Sequence, residues 1–202
     1  MEQINQELDN EHINLQLNKE LQSITDDDVR FKTIKVLLNV GGRFWTEPAS
    51  STGKYHPNYA LGEGGLLRHT KAAVMIANSL LELNCVTNEL NAVSPYPQIK
   101  DYIRAALILH DTCKLGIEME GKYTVHEHPQ LAKQLIHNVL GECEFSDVVG
   151  DLVESHMGQW TTCKWSSIEL PEPITVPQQF VHICDYLASR KFLEVNFGEN
   201  EI

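Results

Sequence analysis

The residues most able to do chemistry are the imidazoles of His69, His110, His128 and His156 and the carboxylates of Asp111 and Asp185. A single buried histidine is usually a hydrogen-bonded core residue. Aspartates are harder to hide, because a buried carboxylate without a partner costs several kcal/mol or takes up a proton. Two such aspartates with three or four histidines on separate helices imply a shared cation. Imidazole and carboxylate ligands suit Mn, Fe, Ni, Co, Zn or Mg, and the sequence leaves open which. A divalent cation brings water towards ionisation near neutral pH and binds phosphate oxygens, so the expected chemistry is hydrolysis of a phosphoester by the hydroxide so formed.

These side chains need helices to bring them together. A helix is expected over 66–83, where Leu66, His69, Ala73, Ile76 and Leu80 form one stripe. Over 99–114, Ile99, Ile103, Ala106 and His110 do the same, with Asp111 beside them. Over 146–156 the shared face is Val149, Leu152, Val153 and His156, and over 176–193 it is Val181, Asp185, Ala188 and Phe192. Pro129 suits the first turn of a further helix ending before Gly141. Thr25 and Asp28 read as a capping box opening a helix that stops at Gly41-Gly42. Segment 43–65 reads as a loop too long to be merely connective. GIEMEGKYTVHE is a candidate for a small β-hairpin around Glu120-Gly121. Ile4, Leu8, Leu15, Leu17, Leu21 and Ile24 are loosely helical in spacing, which suggests a peripheral acidic extension over 1–24 and one domain over 25–202. The expected fold class is all-α.

Five segments, in order, resemble the HD superfamily of metal-dependent phosphohydrolases: GGLLRHT, LILHDTCKLG, HEHPQLAKQLI, ESHMGQW and VHICDYLASR. The resemblance spans about residues 25 to 193 and implies a helical bundle. It implies that His69, His110, Asp111 and Asp185 hold one metal. Asp111 would bridge to a second, held also by His128 and His156. One or two cations are compatible with the family, and the two extra histidines favour two. His126 competes with His128 for its role. Lys114 resembles a lysine that helps hold phosphate beside Asp111 in catalysis; the competing reading is a solvated lysine at a helix end. PASSTGKYHPNYALGEGG resembles the corresponding segment of a bacterial and phage-associated branch and, more loosely, of HD-type exoribonucleases. Lys54, His56 and Arg68 are candidate substrate contacts there, against a reading as surface loop chemistry. His182, one turn before Asp185, is a further candidate contact, against simple core packing. The stretch around Lys54 is not a P-loop, since Pro48 stands where the first glycine is needed.

A net charge of −12 disfavours a protein that tracks a long nucleic acid by counterion release. It favours a small phosphorylated partner, most simply a nucleotide, including a cyclic or short oligonucleotide signal. Single-strand exonuclease and non-catalytic metal-binding protein are the competing functions. Five cysteines without a C-x-x-C pair argue against a disulfide framework or zinc ribbon. No apolar run approaches the roughly 18 residues that span a bilayer. The acidic start is unlike a secretory signal, and the cytoplasm is the expected compartment.

Overall fold

The ligand-bearing stripes fold into helices packed around one that is buried on nearly every side. The computed structural model describes residues 2–54, 56–118 and 120–197, with the backbone alone for 2–11 and 14. In chain order the helices are α1 (Glu2–Ser23), α2 (Asp27–Leu37), α3 (Gly65–Leu81), α4 (Asn84–Val93), α5 (Ile99–Leu109), α6 (His128–Leu140), α7 (Glu144–Glu154) and α8 (Val176–Ala188). Two short 3-10 turns, Gly42–Trp45 and Asn58–Ala60, lie between α2 and α3. No strand forms among the described residues; the sole β feature is an isolated bridge between Lys114 and Gly116. The fold is all-α.

Helix α5 is the centre. Ile99, Tyr102, Ile103 and every residue from Ala105 to Leu109 are buried. The apolar run from Ala105 to Leu109 has to be covered on every face, and α2, α3, α7 and α8 pack against the helix. Helices α6 and α7 form an antiparallel pair joined at Gly141, while α3 lies along α8. Thr175 and Gln178 cap α8 reciprocally, with Pro177 in its first turn.

Several expectations need correcting. The cap of α2 is Asp26, whose side chain accepts from the Asp28 and Val29 amides. Thr25 instead donates its hydroxyl and amide to Asp101 on α5, at 2.8 and 3.1 Å. Helix α4, between the helices expected over 66–83 and 99–114, carries a single buried residue, Leu90. Helix α8 stops at Ala188, so Phe192 is 76 % exposed and not part of the inward stripe. Among the described residues no hairpin forms after His110-Asp111. Instead Gly121 and Val125 donate to the carbonyls of Leu115 and Lys114, folding the segment back as a loop.

Helix α1 packs on α2, α3 and α5. Its backbone leaves helical geometry at Leu17 (φ −124°, ψ 23°). Ile13, Leu17, Leu21 and Ile24 are buried in the common core, whereas Leu15 is exposed. The side chains of Ile4 and Leu8 lie outside the described residues.

Segment 43–65 is pinned to the start of α3. Ala49 donates to Ala60 O, Gly64 to Thr46 O and Leu66 to Glu47 O, at 3.0, 2.7 and 2.8 Å. Gly65 is required by close approach: a Cβ there would stand 2.3 Å from Ala60 O.

Candidate metal centre

Each candidate ligand sits where local backbone structure can fix its ring. His69 lies in the first turns of α3, His110 and Asp111 at the end of α5, His128 opens α6, His156 follows α7, and Asp185 is in α8. His69, His110, Asp111, His128 and His156 are all buried. The Nδ1–H groups of His110, His128 and His156 donate to the carbonyls of Leu107, Val125 and Val153, at 2.7, 2.7 and 2.8 Å. In each case the acceptor is the carbonyl three residues earlier, which fixes the tautomer and turns the Nε2 lone pair inward.

The inward nitrogens converge on one carboxylate. His110 Nε2 and His69 Nε2 lie 3.3 and 3.7 Å from Asp111 Oδ2. His128 Nε2 and His156 Nε2 lie 3.2 and 3.8 Å from Asp111 Oδ1. The nitrogens also face each other in pairs, His69 with His110 at 3.4 Å and His128 with His156 at 3.2 Å. Two ligand groups result, His69–His110–Asp111 and Asp111–His128–His156, each compact enough for one ion and sharing Asp111. Asp185 Oδ1 joins the first, 2.9 Å from His69 Nε2 and 3.6 Å from His110 Nε2. With 18 % of its side chain exposed, Asp185 marks the open side of the centre.

The donor set fits divalent cations. Asp111 Oδ1 is buried and accepts no hydrogen bond, although two imidazole nitrogens flank it. Lone pairs that face one another around an unsatisfied carboxylate oxygen repel unless a cation lies between them. Electrostatics agree. Burial works against the charged forms, yet Lys114 and His110 hold Asp111 well below the usual carboxylate range. Asp185 is held low against its burial by His110 and His69. Burial works against charge on His110, but Asp111 and Asp185 push it up to about 10, so a cation bound there has to displace its second proton. His156 is lowered to about 3 by burial and the neighbouring His110 and His128, which keeps it neutral, the form that coordinates.

The other expected site residues divide. Lys114 points into the centre, its Nζ 2.5 Å from Asp111 Oδ2, and is not a solvated helix-end lysine. His56 packs edge-on against His69, ring centres 5.1 Å apart, and burial, with His69 and Lys114 nearby, lowers it to about 3. Lys54 is exposed on the same loop. Arg68 is turned away from the centre: its Nε donates to Tyr59 O and its Nη2 to Leu61 O and Glu63 O, holding the loop before α3. His182 donates from Nδ1 to His156 O at 2.8 Å. His128 is the residue beside Asp111, whereas His126 Nε2 lies 3.2 Å from both Thr161 O and Ile168 O and fastens that loop.

Sequence reasoning overlooked what surrounds the open side. Gly158 has φ +64°, and a Cβ there would lie 2.1 Å from the His182 ring. Trp160 stacks on Tyr186, rings 15° apart in plane with centres at 5.8 Å, and Arg190 lies 4.3 Å over the same tyrosine. Both aromatics fall inside segments already singled out for their ligands, so the available signal was an aromatic residue close to each one.

Among known proteins, the model of the family described as HD domain matches residues 63–190. No curated protein and no solved structure matches the chain.

Proposed function

The chain belongs to the HD-domain family, whose general activity is metal-dependent phosphohydrolysis, and on that premise we propose that it hydrolyses a nucleotide-type phosphoester, as a phosphodiesterase or nucleotidase, with two divalent cations. The observation that carries this is Asp111, whose two carboxylate oxygens each face a separate pair of histidines. When bound, divalent cations supply the means to ionise water and to offset charge on phosphate oxygens.

The chain's own residues supply the rest. His110, His128 and His156 are held in their ligand orientation by backbone carbonyls, so little side-chain rearrangement is needed on binding. Lys114 places a positive charge beside Asp111, where it can donate to a phosphate oxygen. His56 packs its ring edge-on against that of His69, beside the first ligand group. The opening at Asp185 is where substrate enters. A small nucleotide suits the acidic surface better than a long strand, whose phosphates need a basic one.

Elemental analysis of purified protein, with a panel of nucleoside mono- and triphosphates, cyclic dinucleotides and labelled oligonucleotides assayed with Mn, tests the reading. Wild type is expected to carry close to two metals and to hydrolyse a member of the small-nucleotide group, while Asp111→Ala loses both metal and turnover. Equal metal content in the two proteins overturns the assignment. Turnover confined to long oligonucleotides replaces it with exonuclease activity.

A further inference from the structure

Trp160 stacks on Tyr186, and the position of the stack is set by the segments that carry His156 and Asp185. Trp160 follows His156 by four residues, and Tyr186 directly follows Asp185. His182 joins the two segments, donating to His156 O at 2.8 Å with its ring 6.0 Å from both aromatic rings. The left-handed Gly158 lets the chain pass over that ring where a Cβ would collide with it. The stack is therefore fixed relative to the ligands.

Packing does not account for the stack. Trp160 is 43 % exposed, so its indole retains an uncovered surface, and the residue under it, Tyr186, directly follows the least buried of the candidate ligands, Asp185. Arg190, itself held by Ser189 Oγ, lies over Tyr186 and puts a positive charge at the stack's base. A flat, electron-rich surface next to cation chemistry suits a planar heteroaromatic ring attached to a phosphate.

We propose that Trp160, supported by Tyr186 and Arg190, is the platform on which the base of a nucleotide substrate stacks, so that the enzyme selects base-bearing phosphoesters over sugar phosphates. The proposal rests on the phosphohydrolase reading and adds the substrate's recognised part to it. Trp160 acts in binding and takes no part in bond cleavage.

The test compares a nucleoside 5′-monophosphate, a cyclic dinucleotide and the base-less ribose 5-phosphate on the metal-loaded enzyme. Wild type is expected to favour base-bearing substrates in kcat/KM. Trp160→Ala is expected to raise KM for them roughly tenfold, in line with the loss of one base–aromatic stack. Trp160→Phe, which keeps a ring, is expected to lose much less, and Trp165→Ala, at an exposed tryptophan outside the stack, to lose nothing. Unchanged KM in Trp160→Ala, or equal kcat/KM for ribose 5-phosphate and the nucleotide, overturns the platform while leaving the phosphohydrolase intact. If wild type cleaves none of the three, the platform is judged by binding. With Trp45→Phe and Trp165→Phe combined, Trp160 is the remaining tryptophan. Quenching of its fluorescence by adenosine supports stacking, and absence of quenching overturns it.

Discussion

Asp111 carries two demands at once, since each of its oxygens serves a different histidine pair. Substitutions on one side are therefore expected to separate the two ion sites. His128→Ala should lower metal stoichiometry from two to one by elemental analysis, because the first group keeps His69, His110, Asp111 and Asp185. His126→Ala should keep both metals, since that ring holds only the carbonyls of Thr161 and Ile168. Equal metal loss in the two variants would remove the distinction. Lys114→Ala should retain metal and raise KM roughly tenfold, as expected for a lost hydrogen bond to a charged group of about 1.5 kcal/mol. A fall in metal content instead would make Lys114 a support for Asp111 alone. Gly158→Ala should displace His182, because no side chain fits against that ring, and a raised KM with unchanged metal content would register it.

At the level of elements, the junction between α1 and α2 is tied to α5 by one carboxylate. Asp101 accepts from Thr25 N and Oγ1, from Asp26 N and from Arg104 Nη1. Burial opposes its charge, but those donors bring its pKa below the usual carboxylate value. The sign follows from linkage. A carboxyl that binds its proton more weakly when folded stabilises the fold above its unfolded pKa, about 3.9, and that contribution disappears as pH falls further. Urea unfolding should therefore find Asp101→Asn less stable than wild type by about 1–3 kcal/mol at pH 7, with the gap narrowing below about pH 4. A gap independent of pH would show that the charge is not what matters. Leu21, fully enclosed where α1 meets the bundle, should cost about 2–5 kcal/mol on Leu21→Ala. A cost near zero would mean that α1 is the peripheral extension its acidic sequence suggests.

Across the whole molecule, the ligands come from five helices or their ends, so cations in the centre cross-link the bundle. Ions that bind only the folded chain stabilise it by about 2.7 kcal/mol at one hundred times their Kd. For a domain of this size that corresponds to a rise of roughly 5–10 °C in Tm. Chelation should lower the melting temperature by that amount and Mn should restore it; a Tm indifferent to both would speak against bound metal in the core. None of the described helices is long and apolar enough to cross a membrane.

That these histidines and aspartates gather in one place was legible because burying a carboxylate such as Asp111 is costly enough for the residue types to point to a shared cation. Helical stripes located α3, α5, α7 and α8 for the same reason, each burying a face large enough to leave a period. The cap of α2 falls to Asp26 because Thr25 is taken up by Asp101, a carboxylate on another helix. The choice of His128 over His126, the turning of Arg68 onto backbone carbonyls and the meeting of Trp160 with Tyr186 were decided by tertiary structure. Each depends on which distant carbonyl or ring comes within reach once the helices pack, and spacing along a chain holds no record of that distance.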